Sequence, residues 1–326
     1  MWYRNSMNHP KPVLVSGIKP TGDLHIGNYF GAMRQQVELI KEGKYRPFIF
    51  VADYHALNSV HDAEKMRQRT RELVLAYLAI GLDPEEITCF KQSDVPACTE
   101  LCWIFDSITT MPYLKRAHAY KDAEAKNQEI SVGTFNYPML MAADILLYDA
   151  AIVPVGQDQK QHVEYARDTA EKFNRTFKTD IFQLPEPYIL PDVAIVPGTD
   201  GRKMSKSYGN VIPLFATTDE LKKTVMSIVT DSSGERPENV YALHKLVRST
   251  PELESLYHEH RGNYKKLKEL LFEDLNQYFT PIRTRYEELR NDPQIVEEVL
   301  EKGKREARRV SEKKMEHVRR TIGVAL

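Results

Sequence analysis

His25, Gly27 and Asn28 open an amphipathic run near the start of the chain, and Lys203 and Lys206 lie far downstream between Gly201 and Gly209. Both groups are of the kind that holds phosphates. Backbone N–H groups at a helix N-terminus favour an anion, a glycine lets a phosphate approach the backbone, and a lysine adds a full positive charge. A third candidate is Asp144. It is the one charged side chain in residues 137–148, a segment apolar on nearly every face, as a buried helix is. A carboxylate there must be hydrogen-bonded or paired, because burying it alone is costly. Two readings stay open. Asp144 either caps a neighbouring element or accepts a hydrogen bond from an apolar ligand with one N–H or O–H, the shape of an aromatic amino acid. Helical spacing sets Tyr137, Met141 and Tyr148 on its stripe.

The elements that position these residues follow from apolar patterning. Residues 12–15 read as a short buried strand, Pro20 and Gly22 mark a turn, and 26–41 has helical periodicity. Further strands are expected at 47–52 and 87–91, each followed by a helix, at 63–81 and 96–107. Strands alternating with helices argue for a parallel sheet with ligands at the C-terminal strand ends, and His25 and His55 both fall just beyond such ends. His55 also reads as a hydrogen-bonded core histidine. Residues 111–127 are expected to be an irregular, solvated segment, and Pro138 is expected in the first turn of its helix. Then 152–162 reads as a strand, a tight turn at Gly156 and a helix start. Asp158 and Gln161 have capping-box spacing there and serve equally as caps or ligand contacts. Pro185, Pro187, Pro191 and Pro197 break the chain before the Lys203 loop, and from Thr218 onward the sequence is charged and helical in period. The run 301–320 is rich in Lys and Arg, the pattern of a solvated helix face.

A length of 326 residues suggests about two domains. With 45 Lys and Arg against 46 Asp and Glu, any nucleic acid would be met by local patches rather than by bulk charge. Cys89, Cys98 and Cys102 are too few for a disulfide framework and fit a reducing compartment. Cys98 and Cys102 sit four apart on an expected helix, and they read as buried small hydrophobes, since a metal would need a further ligand nearby. The N-terminus lacks the apolar core of a signal peptide, and the longest apolar run, 73–82, is shorter than the ~20 residues of a membrane helix. The expectation is a soluble cytoplasmic protein without a membrane partner.

Together the two loops resemble the paired signatures of class I aminoacyl-tRNA synthetases. Lys203-Met204-Ser205-Lys206-Ser207 is the second signature in full, and His25-Ile26-Gly27-Asn28 is the first, with Asn28 where many members have a second His. Met141-Ala142-Ala143-Asp144 after Tyr137-Pro138 resembles the tryptophanyl family, whereas tyrosyl enzymes usually carry Gln where Met141 stands. Val153-Pro154-Val155-Gly156-Gln157-Asp158-Gln159, followed by Gln161-His162, is similar to the same family. The likeness has specific motifs over about 12–230 and continues more loosely to the C-terminus.

This resemblance implies an α/β fold, with a Rossmann-like parallel-sheet catalytic domain over 1–210 and an all-helical domain over 211–326 that helps read the tRNA anticodon. It implies L-tryptophan, tRNA(Trp), ATP with Mg²⁺ and a homodimer, and no metal held by the protein alone. Matched by position, Asp144 would accept the indole N–H, with Tyr137, Met141, His55, Val153, Val155 and Gln159 lining the pocket. Lys19, Pro20, Thr21, His25, Gly27 and Asn28 would hold adenosine and phosphates, Gly156, Gln157 and Asp158 the ribose, and Val196 the adenine. Lys203, Met204, Ser205, Lys206 and Ser207 would form the ATP loop, its two lysines closing on the β and γ phosphates. Lys19, His25, Gln157 and Val15 depart from the commoner bacterial Gln, Thr, Glu and Phe, and the cysteines do not match the iron–sulfur cluster of some members. Beside a synthetase core, the basic residues of 111–127 and 301–320 gain a second reading as tRNA contacts. The rivals are a tyrosyl synthetase, disfavoured by Met141, a small-molecule adenylyltransferase and a non-catalytic tRNA-binding paralogue. An adenylyltransferase would not need the 116 residues after Asn210 (326 minus 210), and a paralogue would not need the intact His25, Asp144, Lys203 and Lys206.

Overall fold

Apolar runs flanked by turns pair edge to edge as parallel strands. They are β1 (Val13–Ile18), β2 (Arg46–Val51), β3 (Thr88–Lys91), β4 (Ala150–Val155) and β5 (Glu186–Ile189), in the spatial order β3-β2-β1-β4-β5. The structure, a computed structural model, describes residues 11–20, 22–125, 129–156, 160–189, 195–230 and 236–325. Alternation along β2 sends Phe48 and Phe50 into a core shared with the helices Ala97–Ile108, Val132–Leu146 and Lys160–Phe177. Ile49 and Val51 enter the opposite core, with the helix Ala63–Ala79. The sheet is therefore covered on both faces, which is why its strands read as continuous apolar runs. At the end of β1, the Phe50 ring crosses Gly17 so closely that a methyl group there would lie 2.3 Å from it.

The chain runs outward from β1 to β3 and then returns to the other side of β1 as β4, so a crevice opens at the C-terminal ends of β1 and β4. After β1, the helix predicted over 26–41 is continuous but changes pitch, with a π-helical turn Tyr29–Met33 between Ile26–Asn28 and Arg34–Lys41.

Three local expectations need correction. The described part of residues 111–127 is not irregular, because Met111–Leu114 and His118–Ala125 are helical. Pro138 is interior rather than in the first turn. Ser131 caps the helix by accepting from the Thr134 backbone N–H at 3.1 Å, so the helix starts at Val132. The prolines after 184 leave room for β5, where Pro187 is tolerated because the strand lies at the sheet edge.

Beyond Asn210 the described elements other than short bridges and turns are helices, Thr218–Met226, Glu238–His244, Thr250–Glu259, Tyr264–Arg290 and Ile295–Thr321. The last of these lies back across β3. Gly303 abuts the Cys89 backbone, and a methyl group on it would sit 1.7 Å from the Cys89 carbonyl oxygen. Much of the basic run is spent on this docking. Arg319 pairs with Glu100 at 2.6 Å, Lys314 with Asp149 at 2.6 Å and Lys302 with Glu85 at 2.7 Å. No described helix is long and apolar enough to cross a membrane.

Candidate active site

The first loop leaves β1 at Ile18 and turns through Gly22, whose φ of +147° favours glycine. His25 ends the loop in extended geometry, and its backbone N–H donates to Asn28 Oδ1 at 3.1 Å, which fixes the first helical turn. A methyl group on Gly27 would lie 2.8 Å from His25 Nδ1, so glycine gives the imidazole room to fold back over the helix start. That Nδ1 is buried without a hydrogen-bond partner among the described residues. Burial, and after it the charge of Lys206, lowers the His25 pKa to about 4, so the ring is neutral at physiological pH.

The second loop is organised by Asn210. Its Oδ1 accepts from the Ser205 backbone N–H at 2.8 Å, and its Nδ2 donates to Asp200 at 2.6 Å and to the Lys203 carbonyl at 3.2 Å. The Met204 N–H bonds the Val196 carbonyl at 2.9 Å, which ties buried Val196 to this loop. The two loops touch. A methyl group on Gly22 would lie 2.8 Å from Lys206 Nζ, and one on Gly27 would lie 3.3 Å from Met204 Cβ. Backbone bonds from Ile26 N to Ile212 O (3.0 Å) and from Leu214 N to Leu24 O (2.9 Å) stitch them together. Lys203 and Lys206 are exposed, and partial desolvation, aided by the charge of Arg69 and opposed by that of Asp23, lowers the Lys206 pKa.

Asp144 faces inward from the Val132–Leu146 helix and is 4 % exposed. Its Oδ2 accepts from His55 Nε2 at 2.9 Å, its Oδ1 from the Cys98 thiol at 2.9 Å, and Gln92 Nε2 lies 2.9 Å from both oxygens. Gln92 is oriented by its own Oε1, which accepts the His55 backbone N–H at 3.2 Å. The turn that carries Gln92 is pinned in turn by Asp53, which accepts the Ser93 N–H at 2.9 Å. The Tyr137 ring lies 4.4 Å from the His55 ring, and burial, then the charge of Asp144, raises its phenol to about 12. Lys19 Nζ sits 5.1 Å from the centre of the Tyr137 ring and so spans from the first loop to this pocket.

The structure thus gathers Lys19, Pro20, His25, Gly27, Asn28, Val196 and Lys203–Ser207 around one loop pair, and His55, Tyr137 and Asp144 into one contacting cluster. Met141 lies half-buried one turn before Asp144 and shares an apolar core with Val153 and Val155 of β4, after which Gly156 follows. Thr21, Gln157, Asp158 and Gln159 lie outside the described residues. Sequence reasoning missed Gln92. The signal was present, because Gln92 follows β3 directly, in the position that singled out His25 and His55 on their strands.

A model of the family "tRNA synthetases class I (W and Y)" matches residues 7–306. The chain belongs to this family. A tryptophan–tRNA ligase from Fusobacterium nucleatum is 47% identical over 318 residues, which cover 95% of this chain and 97% of the relative. A crystal structure of tryptophanyl-tRNA synthetase from Campylobacter jejuni, complexed with ADP and tryptophan, aligns with a TM-score of 0.87 at 43% identity and covers 95% of this chain and 99% of that one. A tyrosyl-tRNA synthetase from Archaeoglobus fulgidus shares the class I fold at a TM-score of 0.65 and 20% identity.

Proposed function

We propose that the chain activates L-tryptophan with ATP to tryptophanyl-adenylate and transfers the tryptophanyl group to the 3′-terminal ribose of tRNA(Trp). One observation carries this reading: a buried carboxylate, held by oriented donors, is linked through His55, Tyr137 and Lys19 to two contacting phosphate-type loops. An acceptor at the end of an apolar, aromatic-lined pocket suits an indole N–H. His55, Tyr137, Met141, Val153, Val155 and Gln159 complete the pocket in this reading.

Tryptophan's carboxylate oxygen attacks the ATP α-phosphorus in line, the bond to the β-phosphate oxygen breaks, and pyrophosphate leaves. The ribose hydroxyl then attacks the activated carbonyl and AMP departs. Neither step needs a protein nucleophile, so the residues act by position and charge. Neutral His25 donates a hydrogen bond from its ring, while Lys203 and Lys206 supply positive charge that counts most as the pentavalent phosphorus forms. Lys19, Pro20, Thr21, Gly27, Asn28 and Met204, Ser205 and Ser207 shape the nucleotide site, with Gly156, Gln157 and Asp158 at the ribose and Val196 at the adenine. Mg²⁺ would enter on the triphosphate, since it keeps waters and phosphates as ligands and no described cluster of His, Cys, Asp and Glu is placed to cage it.

The region 211–326 is assigned to the tRNA anticodon, and the protein to the cytoplasm. A homodimer fits the large apolar side chains of Trp103, Met111 and Val132, exposed on helices that pack together beside the pocket. Light scattering that gives a monomer mass would remove the dimer. Pyrophosphate exchange into ATP, run with each amino acid in turn, tests the function. Tryptophan alone should support it, and exchange driven by tyrosine in its place would overturn the assignment.

A further inference from the structure

The three donors on Asp144 are not equivalent. Gln92 Nε2 sits astride the carboxylate, 2.9 Å from each oxygen, so it opposes tilting of the group but discriminates poorly between its two ends. His55 holds Oδ2 alone, and Cys98 holds Oδ1 alone, each at 2.9 Å. The two pull on opposite ends, and between them they set the rotation of the carboxylate plane. Cys98 comes from the Ala97–Ile108 helix and His55 from the Asp53–Ala56 helix, so the plane is clamped from two separate elements.

We infer that the Cys98 thiol is a positioning residue for amino-acid selection, fixing the Asp144 carboxylate so that one of its oxygens meets the ligand's N–H. This rests on the reading of Asp144 as the indole acceptor. The thiol is suited to donating. It is 2 % exposed, and burial, then the negative charge of Asp144, pushes its pKa well above the ordinary cysteine range, so it keeps its proton. Sequence alone places Cys98 among small buried hydrophobes. The contact gives it a polar role that packing does not require, because a well-packed alanine or valine would fill a comparable space without touching the acid as a donor.

The test separates donation from packing. Pyrophosphate exchange is measured for wild type, Cys98→Ala and Cys98→Ser with tryptophan and with β-(benzothiophen-3-yl)alanine, in which sulfur replaces the indole N–H. The ratio of kcat/KM for the two substrates is internal to each protein, so partial loss of folded enzyme cancels. Wild type should prefer tryptophan. Cys98→Ala should shrink that preference about three- to tenfold, the worth of one hydrogen bond, with KM for ATP unmoved. Cys98→Ser, which keeps a donor but fills less space, should restore most of it. An unchanged ratio in Cys98→Ala, or a Cys98→Ser no better than Cys98→Ala, would overturn the inference and leave the Asp144 reading intact. A wild type indifferent to the N–H would overturn both.

Discussion

Asp144→Asn isolates the charge of the selector from its shape. The substitution keeps the side-chain volume but turns one acceptor oxygen into an N–H donor. Gln92 Nε2 stands 2.9 Å from both positions, so in either orientation of the new amide it faces a donor on one side. His55 is the adaptable neighbour, since its Nδ1 is buried without a partner among the described residues and the ring can change tautomer to accept at Nε2. The favoured amide therefore keeps its oxygen toward Cys98 and turns its N–H₂ toward His55. What the ligand loses is the difference between a hydrogen bond to a charged acceptor, about 1.5–3 kcal/mol, and one to a neutral acceptor, about 0.5–1.5 kcal/mol. The strained Gln92 contact adds to this, for a total of about 2–3 kcal/mol, or roughly 30- to 150-fold in kcat/KM for tryptophan at 1.36 kcal/mol per factor of ten. The assay is pyrophosphate exchange with tryptophan and ATP varied separately. KM for ATP should stay at the wild-type value, because the phosphate loops do not touch Asp144. An unchanged kcat/KM for tryptophan, or an equal rise in both KM values, would refute the argument that this carboxylate reads the amino acid.

Lys206→Ala should lower kcat for activation while tryptophan binding, followed by quenching of protein fluorescence, stays close to wild type; equal losses in both would refute a transition-state role. The His25 imidazole should titrate near 4 by NMR in the free protein. Because the folded pKa lies below the unfolded 6.5, the unfolded chain takes up a proton that the folded chain refuses. Stability should therefore fall as pH drops from about 6.5 toward 4, and His25→Asn should reduce that slope in urea titrations; titration near 6.5 would contradict the burial argument. Gly303→Ala puts a methyl group into the Cys89 backbone, which is unable to move aside as a side chain would, so the variant should lose about 3 kcal/mol and melt several degrees lower. A melting point equal to wild type would mean that the last helix does not press on β3 as described.

Much of the site is legible in the sequence because it is built from local signals. An apolar run, a glycine turn and a helix start occupy a few consecutive residues around Gly22, and the lysine loop is closed by Asn210 bonding back across at most ten positions. A lone acid in a greasy helix is likewise visible without coordinates, since nothing else in that segment is charged. The errors occur where one local signal competes with another. Pro138 suggests a helix start until Ser131, further upstream, is seen to cap. Pro187 argues against a strand until the strand is known to lie at the edge.

The sequence by itself determined four of the five strands and the helices that follow them, the two loops and the acid between them, because propensity and periodicity act over one or two turns of chain. Only the tertiary structure decided what holds that acid. Gln92 and Cys98 meet Asp144 across 52 and 46 residues, and no periodicity reports such a distance. It also decided the fate of the basic C-terminal run, where a charge pattern that looks solvated along one helix has Lys302, Arg308, Lys314 and Arg319 paired with acids and carbonyls of the α/β core. Charge is written in the chain, but its partner is chosen by which surfaces pack together.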